Sequence, residues 1–200
     1  MTYCLGVLLR DGPVMAADSR TNAGVDYISS FRKLTVFEEP GERVIALATA
    51  GNLATSQAVT SIVSERLGAR KGEDSIYTSK TMFNVAQIVG RALRQVIDEH
   101  GEHVRESGGD PTATFILGGQ IKDRAPRLFL IYAAGNFIEA SAETPFLQIG
   151  ENKYGKPILD RTISYDMPIE RAVTASLVSF DSTMRSNLSV GPPIDLITIL

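Results

Sequence analysis

The order of patterns along this chain constrains its fold more than any single motif does. Hairpin-linked strand runs come first, helices follow, and the sequence then does this a second time. Tyr3–Leu9 is an alternating apolar run of strand type, and Val14–Ala17 is another, with Arg10-Asp11-Gly12-Pro13 between them as a hairpin-like turn. Phe31–Phe37 and Arg43–Ala50 flank a second turn, Glu38-Glu39-Pro40-Gly41-Glu42. After Ala50-Gly51-Asn52 the spacing becomes helical, with Ala58, Ile62, Val63 and Leu67 on one face of Leu53–Leu67. A polar stretch, Gly68–Tyr77, separates this helix from a longer one over Ser79–Ile97. There Met82, Val85, Ala86, Val89, Leu93, Val96 and Ile97 form one apolar stripe.

The second half repeats the scheme. Thr112–Leu117, Arg127–Ala133, Phe137–Ala140 and Phe146–Ile149 are short strand runs punctuated by Gly118-Gly119 and Gly135-Asn136. Gly150-Glu151-Asn152 opens a short helix through Leu159. A further helix begins near Pro168, with Glu170 in its first turn and Ile169, Ala172, Val173, Leu177, Phe180 and Met184 as its buried face. Ile194–Leu200 reads as a last strand. Antiparallel hairpins alternating with helix pairs predict a layered α+β fold, sheets covered by helices, and not a parallel βαβ arrangement. With 200 residues, 44% of them hydrophobic, and no linker or low-complexity tract, the expectation is one domain over 1–200.

Composition removes several function classes. A net charge of −3 and a pI near 5.5 leave no basic footprint for nucleic acid. No apolar run reaches the roughly 18 residues of a membrane span, and the N-terminus lacks signal-peptide character. The one cysteine, Cys4, forms no internal disulfide and suits a reducing, cytoplasmic compartment. Its place in the first strand makes it a buried small hydrophobe. His100 and His103, the two histidines, read as a solvated, frayed helix end beside Gly101, so no metal or cofactor is expected. There is no Gly-x-Ser-x-Gly elbow and no phosphate-binding glycine loop. A hydrolase built on this chain needs a base other than histidine, and a terminal amine or a lysine can serve.

Thr2 supplies such a unit. Removal of an initiator Met1 would leave a hydroxyl and an α-amine on one residue, and an α-amine titrates near pH 7.7–8.0, low enough to take the hydroxyl proton. With Met1 retained, Thr2 has only an amide nitrogen. In Phe31-Arg32-Lys33-Leu34, either Arg32 or Lys33 must share a face with core residues. Spacing alone favours an edge strand with both side chains reaching water. The alternative is an inward Lys33 paired with Asp18, its positive charge near Thr2 lowering the amine's proton affinity. Asp18 alone also reads as a turn residue ending its strand.

Thr2, Asp18-Ser19-Arg20, Lys33 and Ala50-Gly51 occur in the order and approximate spacing of proteasome β-subunits, which this chain resembles over essentially its whole length. Thr2-Tyr3-Cys4, the run from Ser19 to Asp26, Ala50-Gly51-Asn52-Leu53-Ala54 and the segment Ser186-Asn187-Leu188-Ser189-Val190-Gly191-Pro192-Pro193 look most like a bacterial branch, the ancestral β-subunit (Anbu) group. The resemblance implies the N-terminal-nucleophile hydrolase fold, a four-layer αββα sandwich of two antiparallel sheets. It also implies Thr2 as nucleophile with its own amine as general base, Lys33 and Asp18 as electrostatic partners, and the Gly51 N–H as oxyanion donor, a contact worth about 3 kcal/mol where such donors have been removed.

Two places depart from the family pattern. The usual Asp-x-x-Ser-Gly-Gly reads Ser186-Asn187-Leu188-Ser189-Val190-Gly191, without the acidic residue, and Glu151 stands where a Gly-Ser-Gly serine is usual. Ser189, Glu151 and Arg20 are therefore secondary site candidates. The functional expectation is a threonine peptidase in a self-compartmentalised homo-oligomer, ring or open spiral, acting on peptides or unfolded chains; the sequence identifies no unfoldase partner. A non-peptidase amidohydrolase using the same core, and an assembly-forming homologue of weak or lost activity, stand as alternatives.

Overall fold

The computed structural model describes residues 1–22, 28–65 and 75–200. Strands β1 (Tyr3–Leu9) and β2 (Gly12–Asp18) form the first hairpin, and a short pair, β3 (Arg20–Asn22) and β4 (Ile28–Ser30), follows it. Next come β5 (Leu34–Glu39), β6 (Arg43–Gly51), α1 (Leu53–Glu65) and α2 (Met82–Glu106). The second half holds β7 (Ala113–Ile121), β8 (Arg127–Ile131), β9 (Phe137–Glu139), β10 (Phe146–Gly150), α3 (Lys156–Thr162), α4 (Ile169–Ser186) and β11 (Ile194–Thr198). One antiparallel sheet has the order β10-β1-β2-β11 and the other β5-β6-β7-β8-β9. The two lie face to face, with α3 and α4 outside the first and α1 and α2 outside the second. This is the expected αββα sandwich.

Three apolar layers hold it together. Between the sheets, Cys4, Met15 and Ala17 meet Ala46, Ala48, Ile116 and Leu128. On the outer face of the second sheet, Phe115, Leu117, Phe129 and Ile131 pack on Val85, Val89 and Leu93 of α2 and Val59 and Val63 of α1. On the outer face of the first, Tyr3, Leu5, Val7 and Val14 pack on Leu159, Ala172 and Phe180. Every residue of β1 and β2 is buried, because successive side chains feed two different cores. Cys4 is the buried small hydrophobe its alternation predicts.

The structure corrects several boundaries. Gly118-Gly119 does not end β7, because the sheets approach so closely there that a Cβ on Gly118 would lie 2.5 Å from the Met15 sulfur. Helix α2 continues past Ile97 to Glu106, so His100, Gly101 and His103 lie inside it. Its N-cap is Thr81, whose hydroxyl accepts the Asn84 N–H, and His103 and Arg105 suit the negative end of its dipole. Gly150 ends β10, Glu151-Asn152 is loop, and α3 starts only at Lys156, with Pro157 in its first turn. On α4, Leu177 is exposed. The buried face is made of Ala172, Ala175, Ser176, Ser179, Phe180 and Thr183, small side chains around one large ring, Phe180, which packs on Tyr3 of β1. Ser176 and Thr183 satisfy their hydroxyls on carbonyls four residues back. Along α1 the buried line runs through Thr55, Ser56, Val59 and Val63, with Ala58 and Ile62 at its edge. Leu67, most of Gly68–Tyr77 and the motif residues Ala23–Asp26 lie outside the described residues. Among the described residues, no helix is long and apolar enough to cross a membrane.

Candidate active site

The hairpin of β1 and β2 sets Tyr3 beside Asp18. The Tyr3 N–H donates to Asp18 Oδ1 at 3.0 Å, so the residue just before it, Thr2, sits at the mouth of that contact. Tyr3 is in turn pinned from the helix side: its ring stands edge-on to Phe180 at 4.8 Å and its hydroxyl bonds Ser179 Oγ. Asp18 is fully buried, and its second oxygen accepts the Gly191 N–H at 3.3 Å.

Lys33 takes the inward alternative, not the edge-strand one. Strand β5 begins only at Leu34, and the lead-in is held by Phe31 N–H on Ser19 O and by Thr49 N–H on Lys33 O. This aims the lysine side chain inward, where it is 5% exposed, with Nζ 2.8 Å from Asp18 Oδ1 and 2.6 Å from Arg20 O. Arg32, by contrast, is exposed and pairs with Asp195 at 3.6 Å. Two of the three ammonium protons are thus assigned. Lys33, Thr2 and Gly51 all line one small pocket of about 110 Å³, together with Met1, Thr21, Thr49 and Ser56. Gly51 is the required residue at its place: φ is +110°, and a Cβ would lie 2.5 Å from Thr112 O.

The three secondary candidates gather behind Thr2 instead of in the pocket. Glu151 touches Thr2 through its backbone, its N–H donating to Thr2 O at 2.7 Å. Its carboxylate is turned to its own loop, accepting N–H groups of Asn152 (2.9 Å) and Lys153 (2.8 Å) on Oε1 and the Asn187 amide (2.7 Å) on Oε2. The Lys153 N–H above all, with Asn187 and Asn152, holds this carboxyl below the usual glutamate range. Arg20 donates to Leu188 O at 2.8 Å and lies against Gly191, where a Cβ would collide with its guanidinium. Ser189 is tied by its N–H to Asn187 Oδ1 and does not line the pocket. Glu151, held by the Asn187 amide, and Arg20, donating to Leu188 O, therefore clamp the segment 187–191, whose Gly191 reaches Asp18.

Sequence reasoning missed the two backbone N–H donors on Asp18 and the residues Thr21, Thr49 and Ser56 that line the pocket. A signal existed for Thr49, the polar interruption of the alanine run Ala46–Ala50. Cys4, next to Asp18, points its thiol at Thr49 O, and burial pushes its pKa up, so it stays an unreactive neutral thiol. His100 and His103 are exposed on α2, far along the chain from the pocket residues.

Against known proteins, the model of the proteasome subunit family matches residues 2–199. The β1 proteasome subunit of Thermococcus kodakarensis is 25% identical over 99% of this chain and 88% of its own length. Among solved structures, Anbu from Yersinia bercovieri superposes with a TM-score of 0.90 at 48% identity, over 98% of this chain and 81% of that one. A helical assembly of the Anbu complex from Pseudomonas aeruginosa gives 0.92 at 47% identity, over 98% and 80%. A Gly-1 mutant of Anbu from Hyphomicrobium sp. strain MC1 gives 0.92 at 49%, over 100% and 82%.

Proposed function

The chain belongs to the proteasome subunit family, in its ancestral β-subunit group, and on that premise we propose that it is an N-terminal threonine hydrolase of amide bonds. The observation that carries this reading is that Thr2 shares a small pocket with Lys33, whose ammonium is anchored from below by buried Asp18.

With Met1 removed, the Thr2 α-amine takes the hydroxyl proton as Oγ1 attacks the substrate carbonyl carbon. The Lys33 charge favours loss of that proton, and the oxyanion forms opposite the Gly51 backbone. Collapse breaks the C–N bond, the departing amine takes the proton from the Thr2 amine, and water then hydrolyses the ester on Oγ1. The substrates are peptides or unfolded chains, and the working form is a cytoplasmic homo-oligomer. An apolar groove of about 450 Å³ between α3 and α4, with Val178 half exposed on its rim, supports self-association.

A second reading, an assembly-forming homologue of weak activity, is favoured by one observation: Glu151 and Ser189 bring no side-chain group to the pocket. Intact mass and peptide hydrolysis separate the two. Protein lacking Met1 is expected to hydrolyse amides, Thr2→Ala to abolish turnover while leaving assembly unchanged, and Thr2→Ser to keep part of the activity. Undiminished hydrolysis in pure Thr2→Ala protein would sink the assignment.

A further inference from the structure

Asn52, the residue between Gly51 and helix α1, has a partner for every polar group it carries. Its N–H donates to Thr112 O at 2.9 Å, and its C=O accepts the Ser56 N–H at 3.0 Å and the Ser56 hydroxyl at 2.8 Å. Its side-chain Oδ1 accepts the Thr55 N–H at 3.1 Å, the bond of a helix N-cap. The cap does not account for Nδ2, which leaves the helix and donates at 2.9 Å to Asp110 O, 58 residues away. The receiving segment is itself braced. The Asp110 carboxylate accepts the Thr112 N–H at 2.9 Å and the Thr112 hydroxyl at 2.8 Å, and Thr55 Oγ1 donates to Pro111 O at 2.9 Å.

The backbone next to this tether carries the Gly51 N–H. Gly51 stands opposite Ala113, and the bond beside that pair runs from Asn52 N–H to Thr112 O. Two residues earlier, Thr49 N–H donates to Lys33 O, and N–H groups two apart on a strand face the same side. The Gly51 N–H is therefore turned away from β7 and toward the side of Lys33, which lines the pocket with Gly51 and Thr2. Strand β6 ends at Gly51, whose φ of +110° belongs to a residue with more backbone freedom than any other. What holds the next residue then decides how steadily that N–H is aimed.

Resting on the reading of Thr2 as nucleophile and of the Gly51 N–H as oxyanion donor, we propose that Asn52 is a positioning residue for the reaction. Its amide tether to Asp110 O fixes the direction of the Gly51 N–H. A donor aimed before the reaction begins stabilises the oxyanion without reorganising, whereas one that wanders must be recaptured at each turnover. Asn52 acts through Gly51, so its effect falls on the chemical step and not on substrate binding.

Asn52→Ser separates the tether from the cap, because a serine hydroxyl accepts the Thr55 N–H but is too short to reach Asp110 O. Asn52→Ala removes both. Two probes are applied to protein whose mass shows Met1 removed. Hydrolysis of a peptide amide builds charge on the carbonyl oxygen. Alkylation by a peptide vinyl sulfone does not: Thr2 Oγ1 bonds to the vinyl carbon, and the displaced electron pair and the hydroxyl proton go to the carbon beside the sulfone. Asn52→Ser should unfold in urea near the parent midpoint and be alkylated at the parent rate. Its kcat for the amide should fall by on the order of tenfold, against roughly 10²–10³-fold where such a donor is lost outright. KM should stay within about twofold, as for an interaction made only in the transition state. Asn52→Ala should show the same split with a lower midpoint. Undiminished hydrolysis by Asn52→Ser, or equal losses of hydrolysis and alkylation, overturns the role of Asn52. A processed parent that is not alkylated at Thr2 and hydrolyses nothing defeats the nucleophile, and this role with it.

Discussion

Asp18 and Glu151 are both buried carboxylates next to the N-terminal strand, and what neutralises them differs. Asp18 faces a full positive charge, Lys33 Nζ at 2.8 Å, alongside the N–H groups of Tyr3 and Gly191. Glu151 makes no ion pair among the described residues and is held by neutral donors, the N–H groups of Asn152 and Lys153 and the Asn187 amide. An anchored ion pair creates an oriented field, and here its positive end lines the pocket with Thr2. Donors converging on a carboxylate shape a loop instead, and this loop reaches Thr2 only through a backbone bond. Burial of an acid beside a nucleophile is thus no guide to its role, whereas the sign of its partner is.

The sharpest break of this contrast comes from the ion pair. Asp18→Asn leaves Lys33 buried without a counter-charge, and Lys33→Ala does the reverse to Asp18. Each should cost about 3–5 kcal/mol in urea unfolding and abolish hydrolysis. The double variant Asp18→Leu with Lys33→Met removes both charges, so most of the stability should return while turnover stays absent. Turnover by that double variant would reduce the pair to a structural element and erase the difference from Glu151.

A smaller effect is expected at Glu151. Glu151→Ala strands two backbone N–H groups and the Asn187 amide, worth about 1–3 kcal/mol, and should lower hydrolysis less than Asp18→Asn does. The pH dependence identifies the carboxylate itself. Its folded pKa lies below the ordinary glutamate value of about 4.3, so its contribution is complete above that value and is lost as pH falls through the lowered folded one. Unfolding free energies measured from about pH 6 down to pH 3 should therefore fall less steeply for Glu151→Ala than for the parent. Parallel curves would mean that the three donors do not hold the ionised form.

The sandwich was legible in the sequence because its strands and long helices bury whole faces, and periodicity reports faces. What escaped were features set by close approach between elements distant in sequence. Gly118-Gly119 reads as a stop, yet it is where Met15 of the facing sheet needs room. The buried side of α4 runs through serine and threonine because hydroxyls can bond backward along a helix, and hydrophobicity alone placed Leu177 there. In the site, Thr2, Asp18, Lys33 and Gly51 could be singled out, but the side chain of Lys33 was ambiguous by alternation. Its orientation depends on a backbone bond to Thr49, across the hairpin turn from it. The clamp of Arg20 and Glu151 on residues 187–191 joins segments more than 30 residues apart, and no local pattern announces it.

The smallest expected effect is at Ser189, and it tests the boundary between the two regions. Resemblance to the family pattern makes this serine a secondary site candidate. Its N–H bonds Asn187 Oδ1, whereas its hydroxyl bonds no described residue and does not line the pocket. Ser189→Ala keeps the backbone bond and removes only a half-buried hydroxyl, a change that usually stays within about 0.5 kcal/mol of stability. Hydrolysis should stay within about twofold, since a factor of two is only ~0.4 kcal/mol in the barrier. A loss of tenfold or more with unchanged stability would bring Ser189 into the site. It would also mean that the segment 187–191 moves toward Thr2 during turnover, so that the clamp on it, Glu151 included, acts on chemistry as well as on the loop's shape.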